Sequence, residues 1–544
     1  MNRSVLRALP LAVVTVIAAS SVAAPPPKYD FKWWTVVNNG DDVPGTTRKF
    51  NSYNQPSVNA NQLVVFRARS RGGQGGGQPE HGVYARNMAG GSAAVKILDR
   101  NRPVPAPNNR GSKFIEPPSF PRIDISSDTV ATRGNHQPVW KVTNENGETI
   151  EQLGTTGIYT NPSGTLITGA SKLGSVDEFS YFEVPEVPGT PFDVFPGAPA
   201  VTDRSTIVFK GNYTVGSGKT GVYYRDLTGN ESPVVLIANN SETTIPGSAT
   251  VFGSTSPPSA ANGKVVFAGF DNEESPTKGG IYLAPLSGTK PPLTTLVSIG
   301  GQVPGENGTA KFNRLGEGVS FDGRFLAFWG AWGTETRTLS LQCRNEGNAA
   351  RVQYCLDYYN RYEVQVPVKQ GIFVHDTVTR QTYTVAKSPG DFDDFLFWNF
   401  SGRVPGTGEG DDDGEFARWR SSAFVAISGM VDRSLADTGF HAAFKARQGK
   451  SDSNGIYSAP PVDGIYLKDG PGQSLIHGLV QTNMDGTLLD RQAVDDLGNP
   501  LPVTEMGIER DGFRGSSIAI NASMGSEETG WAGIYLTELK KPKK

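Results

Sequence analysis

Arg133, Asn135 and His136 end one short apolar run of this chain, and Lys210, Asn212 and Tyr213 end the next comparable run. A cation, an imidazole and a phenol brought to one place form the set that β-elimination of a uronic-acid polymer requires. The cation neutralises the carboxylate and so acidifies the proton on the adjacent carbon. A His or Tyr removes that proton, and a second donor protonates the departing glycosidic oxygen. Arg133, His136, Lys210 and Tyr213 are therefore the candidate catalytic residues.

Other apolar runs end in a similar way. Arg67 and Arg69, Trp329 and Trp332, and Lys445 and Arg447 occupy the matching places, and with Asn135 and Asn212 they make a candidate binding surface. Guanidinium groups grip carboxylate or sulfate bidentately, and indole faces stack on sugar rings. The set suits an anionic extracellular polysaccharide. The competing reading is a row of solvated strand ends whose charges discourage edge-to-edge pairing.

Other chemistries find less support. There is no Gly-x-Ser-x-Gly elbow, no His-Glu-x-x-His helix and no phosphate-binding glycine loop in strand-to-helix context; the glycine-rich stretch Gly72–Gly77 reads as a flexible loop. The remaining histidines are His81, His375, His441 and His477, and the first three sit in or beside strand phrases, where packing or surface roles are expected. Hydrolysis by paired carboxylates stays open, because acids are plentiful. So does a non-catalytic binding or scaffold role. Asp411, Asp412, Asp413 and Glu415 form a dense acidic stretch whose oxygens could hold Ca²⁺, although the spacing is not that of an EF-hand. No other cofactor is expected. The two cysteines, Cys343 and Cys355, read as a disulfide stapling an insertion over 330–369. Closing such a loop is worth about 3 kcal/mol in the chain-entropy description.

The elements that must position these residues repeat. A proline turn occurs seven times, at Pro44, Pro105, Pro188, Pro246, Pro304, Pro405 and Pro502. Each is followed by one Gly-Ile-Tyr-like phrase, beginning at Gly82, Gly157, Gly221, Gly280, Gly371, Gly464 and Gly533. Between them lies an apolar strand such as Leu63-Val64-Val65-Phe66 or Val265-Val266-Phe267, and another apolar run follows every unit except the last. The first unit is preceded by an orphan strand, Trp33-Trp34-Thr35-Val36-Val37. An all-β, seven-bladed β-propeller over 30–539 follows, closed by that N-terminal strand completing the last blade, because closure removes exposed sheet edges.

The phrases Ala261-Asn262-Gly263-Lys264-Val265-Val266-Phe267 and Ser320-Phe321-Asp322-Gly323-Arg324-Phe325-Leu326-Ala327-Phe328 resemble two known repeats. One is the Asn-x-x-Gly-x-x-x-Ala-Phe repeat of bacterial exported proteins. The other is the Asp-Gly-Arg-x-x-Ala-Phe phrase of TolB-like propellers. The resemblance spans nearly the whole mature chain and implies blade architecture and export. In architecture the chain is also similar to secreted seven-bladed propeller polysaccharide lyases, which implies His, Tyr and Arg in catalysis.

The first residues agree with export. Arg3 and Arg7, the apolar run Leu9–Ala19 and the small residues Val22-Ala23-Ala24 read as a signal peptide over 1–24. Its removal takes the 51 Lys and Arg to 49 against 54 Asp and Glu, a net charge of −5. That balance argues against general nucleic-acid binding. The basic tail 540–544 has no hydrophobic anchor, so a secreted monomer without a membrane anchor is expected.

Overall fold

The computed structural model describes residues 31–539 apart from 73–77, 107–111, 137–140, 144–145, 148, 152–155, 176, 345–348, 403, 406–415, 431–438, 450–460, 473 and 526–529. The expected signal peptide over 1–24, the basic tail 540–544, most of the glycine-rich loop and all four acidic candidates (Asp411, Asp412, Asp413 and Glu415) lie outside the described residues.

Seven antiparallel sheets account for the repeats, each a path of four strands, to which five of them add a short further strand on the second one. In each blade the apolar phrase forms the second strand from the axis and the Gly-Ile-Tyr phrase the third. In blade one these are Leu63–Ser70 and His81–Asn87, and in blade three Thr206–Val215 and Ser217–Asp226. The orphan strand Trp33–Asn38 pairs antiparallel with Trp531–Glu538, with Trp34 opposite Leu536 and Asn38 opposite Gly533. The ring is a closed seven-bladed β-propeller.

The glycine of the third strand has a steric cause. A Cβ at Gly82 would sit 2.8 Å from the carbonyl oxygen of Leu98 on the outer strand, and one at Gly533 would sit 2.6 Å from that of Val37. The outer strand approaches this closely because the register shifts just beyond the glycine, between Val83 and Tyr84 in blade one and between Ile281 and Tyr282 in blade four. In blades one, three, four, five and six the following aromatic then turns inward onto two more rings. In blade five Phe373 meets Phe312 edge-on at 5.0 Å and stacks on Phe328 at 5.6 Å.

The core is divided among the blade interfaces. Val36, Phe66 and Ile534 pack between blades seven and one, Ala426, Val503 and Ile520 between six and seven, and equivalent clusters fill the other five gaps. One proline phrase departs from its expected place. Phe392, just after Ser388-Pro389-Gly390, supplies the blade-six ring against Tyr466 at 4.5 Å, whereas Val404-Pro405 belongs to an inserted hairpin.

Two insertions stand over one mouth of the ring. Blade five contributes the hairpin Thr336–Leu341 with Tyr362–Pro367, and between its strands the helix α1, Ala349–Tyr359. The helix was not evident from the pattern, because its 11 residues bury little beyond Cys355. Cys343 and Cys355 are joined in a disulfide that fastens it. Blade six contributes the hairpin Phe397–Ser401 with Arg418–Ser422. The two insertions pack together through Leu339, Val366, Trp398 and Trp419, and through Tyr359 against Phe400 at 5.1 Å. They form one roof.

Candidate functional site

The second strands end at the roofed mouth, and alternation decides which side chains face it. Arg67 and Arg69 lie two apart on one strand and so share a face. With Arg133 from blade two they line a cavity of about 750 Å³, to which Val194 and Gly197 contribute from blade three. From above, α1 adds Arg351 and the blade-six hairpin adds Asn399 and Ser401. The described lining thus holds four arginines and a single carboxylate, Glu116.

Arg67 and Arg69 are held by a residue for which the sequence suggested a packing or surface role. His81 pairs opposite Arg69 in the neighbouring strand. Its Nε2 accepts from Arg67 Nε at 2.8 Å and from Arg69 Nε at 3.4 Å, while Nδ1 lies 3.7 Å from Glu116 Oε2. Accepting at Nε2 places the ring proton on Nδ1, facing that carboxylate. Burial, together with Arg67, Arg69 and Arg100, pushes the imidazole pKa down to about 2, so it stays neutral. Arg67 also donates from Nη1 to Asn54 Oδ1 at 3.2 Å. Its sunken position and the neighbouring Arg69 and Arg133 push its pKa down to about 10, against an opposing pull from Glu116. Arg133 Nη1 donates to the Phe195 carbonyl at 2.8 Å. These contacts fix the three guanidinium groups before any ligand arrives.

Beneath this cavity the axis is occupied by a loop of blade seven, Glu509-Arg510-Asp511-Gly512-Phe513-Arg514. It reaches the inner edge of every other blade. Asp511 accepts from the Val58 amide of blade one at 2.9 Å, and Glu509 accepts from Arg122 of blade two at 2.6 Å. Arg510 donates to the carbonyls of Ala198 in blade three and Pro257 in blade four at 3.0 and 3.2 Å. Arg514 donates to Phe321 in blade five at 3.1 Å and Ile427 in blade six at 2.8 Å. Ala198 also lines the cavity, so this hub is its floor.

The remaining candidates separate. Lys210 and Asn212 line a neighbouring pocket of about 320 Å³. His136 and Tyr213 each lie three residues after their cation and point to the opposite face of the strand. His136 is 1% exposed and lies 3.2 Å through Nδ1 from Ser112 Oγ, near Tyr159. Tyr213 is also buried, with its hydroxyl 2.8 Å from Ser241 Oγ. The structure does not bring His136 and Tyr213 together. Asn135 is buried on the face of Arg133. Trp329 donates to Gln370 Oε1 at 2.9 Å and Trp332 packs on Phe373, both inside blade interfaces. Lys445 lies 4.2 Å over the Phe397 ring, with its pKa lowered by burial, and Arg447 forks onto Asp463 at 2.6 and 3.0 Å. Among the described residues no group of three His, Cys, Asp or Glu is placed to hold a metal ion. No described helix is long and apolar enough to cross a membrane.

Fold and site define a closed seven-bladed propeller with a roofed, arginine-rich mouth. The sequence matches no protein-family profile and no curated protein. Among solved structures it is similar to polysaccharide lyase Uly1, at 10% identity and a TM-score of 0.39 over 94% of this chain and 100% of that one. It is similar to the β-propeller domain of the Trilobed protease from Pyrococcus furiosus, at 8% identity and a TM-score of 0.37 over 91% and 100%. An alpha-L-arabinanase from Penicillium chrysogenum matches at 13% identity and a TM-score of 0.24 over 54% and 74%. These are likenesses of fold alone.

Proposed function

We propose that this protein is an exported propeller that binds an acidic polysaccharide in its roofed mouth, with Arg67, Arg69 and Arg133 taking the uronate carboxylates. The observation that carries the reading is the charge of the cavity: four arginines against one carboxylate, in a chain whose net charge is −3. The walls present Asn54, Ser119, Asn399 and Ser401, whose amides and hydroxyls suit sugar hydroxyls better than a lipid.

Cleavage by β-elimination is a second reading, favoured by Glu116. Hydrolysis between paired carboxylates needs a second acid, and Glu116 is alone among the described lining residues. Elimination can proceed on one group that takes the proton beside a neutralised carboxylate and hands it to the departing glycosidic oxygen, and Glu116 next to Arg69 can serve in that way. Of the four catalytic candidates drawn from sequence, Arg133 is the one that lines this cavity.

Incubation with pectate, alginate and glucuronate-containing polymers separates the readings. Retention at low salt that weakens as salt rises is expected from a charge-driven site. A rise in ultraviolet absorbance from unsaturated uronates, lost in Glu116→Gln while binding persists, is the outcome for a lyase. Flat absorbance with binding leaves a lectin-like role, and no retention of any polymer overturns the proposal.

A further inference from the structure

The pocket holding Lys210 adjoins the arginine cavity through two shared walls. On the floor, Val194 and Asn212 form an antiparallel bridge, Asn212 N donating to Val194 O at 2.9 Å. Val194 lines the cavity and Asn212 lines the pocket. On the roof, Ser401 and Arg418 are directly opposed in the blade-six hairpin, and again the first faces the cavity and the second the pocket. Residues paired across antiparallel strands are about 5 Å apart. Continuity is therefore built into both surfaces.

The pocket is also chemically unfinished. Ser254 is 3% exposed, and its hydroxyl lines the pocket with no hydrogen-bond partner among the described residues. The buried Asn212 Oδ1 is in the same condition. Buried polar atoms without partners are uncommon and point to a group that completes them. Lys210 forms no salt bridge with a described residue, the one carboxylate of the described lining, Glu273, being taken by Arg418, and Phe416 is 63% exposed at the edge. An ammonium, an orphan hydroxyl, an amide oxygen and an open aromatic face match a hydroxylated, negatively charged ring.

We infer that this pocket is a second subsite for the polymer proposed above, so that one acidic chain runs from the arginine cavity over blade three to Lys210, Asn212, Ser254 and Phe416. Across its opening Arg418 Nη2 meets Glu273 Oε1 at 2.9 Å, joining the roof to blade four and bounding the groove on its far side. The inference rests on the polysaccharide reading and extends it: the site recognises consecutive sugar residues.

The test is binding of a ladder of oligouronates, from disaccharide to hexasaccharide, prepared from pectate and alginate. In the wild-type protein affinity should rise with length until both subsites are filled. Lys210→Ala should remove that rise, weakening the longest oligomer about tenfold and leaving the disaccharide unchanged. Phe416→Ala, at an exposed ring with little bearing on folding, should act in the same direction by about threefold. Wild-type binding whose length dependence survives both substitutions overturns the second subsite and leaves the cavity intact. Absence of wild-type binding to every oligomer overturns both readings.

Discussion

Two clusters of arginines, one in the hub on the propeller axis and one in the mouth above it, are treated in opposite ways. In the hub, Arg122, Arg510 and Arg514 end on carboxylates or on carbonyls of facing blades, and all three are at most 7% exposed. In the mouth, Arg67 and Arg69 are braced by a neutral imidazole and share one half-buried carboxylate, Glu116, 3.8 Å from Arg69, which keeps 48% of its side chain exposed. A charge with local counter-charges and carbonyls fastens blades together. Three charges braced mainly by neutral groups, with one carboxylate between them, keep a surplus available to an anion. The comparison teaches that an arginine's number of donors matters less than whether its partners cancel it.

The hub gives the sharpest way to break this contrast. Arg514→Ala would leave Asp511 and two inner-strand carbonyls without their donor, and removing one partner of a buried pair costs about 3–5 kcal/mol. A large fall in the chemical-denaturation midpoint is expected, with polymer affinity per folded molecule little changed. A midpoint within error of wild type would mean that the hub does not fasten the ring.

The mouth should answer in the other sense. Arg69→Gln should weaken polymer binding about tenfold and flatten its salt dependence, while stability moves by no more than about 0.5 kcal/mol. Arg67→Gln should lose affinity similarly and also lower stability, since it strips both His81 and Asn54 of a partner. Isothermal titration and denaturant melts on the same preparations check both. Equal affinity in Arg69→Gln and wild type would erase the distinction between the clusters.

How much of this was legible depends on whether the signal was periodic. Blade number followed from the recurring glycine phrase, six of whose seven copies sit against a carbonyl of the outer strand, and ring closure followed from the orphan strand Trp33-Trp34-Thr35-Val36-Val37. Arg67, Arg69 and Arg133 followed from the same register. His136 and Tyr213 carried a readable warning, since an odd offset from Arg133 and Lys210 reverses the face of a strand. Trp329 and Trp332 looked like sugar platforms, yet blade five uses them as interface packing. His81 was hidden because its link to Arg69 depends on the length of the hairpin turn. The hub left one clue, a run of charges in blade seven where other inner strands carry Ser and Pro. Its six blade contacts exist only once the circle closes.

Acid should act on the mouth through His81, and the direction can be worked out. Its folded pKa of about 2 lies below the unfolded value of about 6.5, so between these limits the unfolded chain binds the extra proton. Stability from this group is complete above about 6.5 and is lost as pH falls towards 2. One unit below 6.5 the loss is roughly 1 kcal/mol. His375, whose pKa is also lowered by burial, adds in the same direction, so removing His81 should flatten the profile without abolishing its slope. Thermal melts of wild type and His81→Gln from neutral pH down to mild acid measure the difference. A glutamine there can still accept from Arg67, so the guanidinium stays braced while the titration disappears. Parallel profiles for the two proteins would show that His81 is not held neutral between the arginines, and the mouth would lose the uncharged brace that sets it apart from the hub.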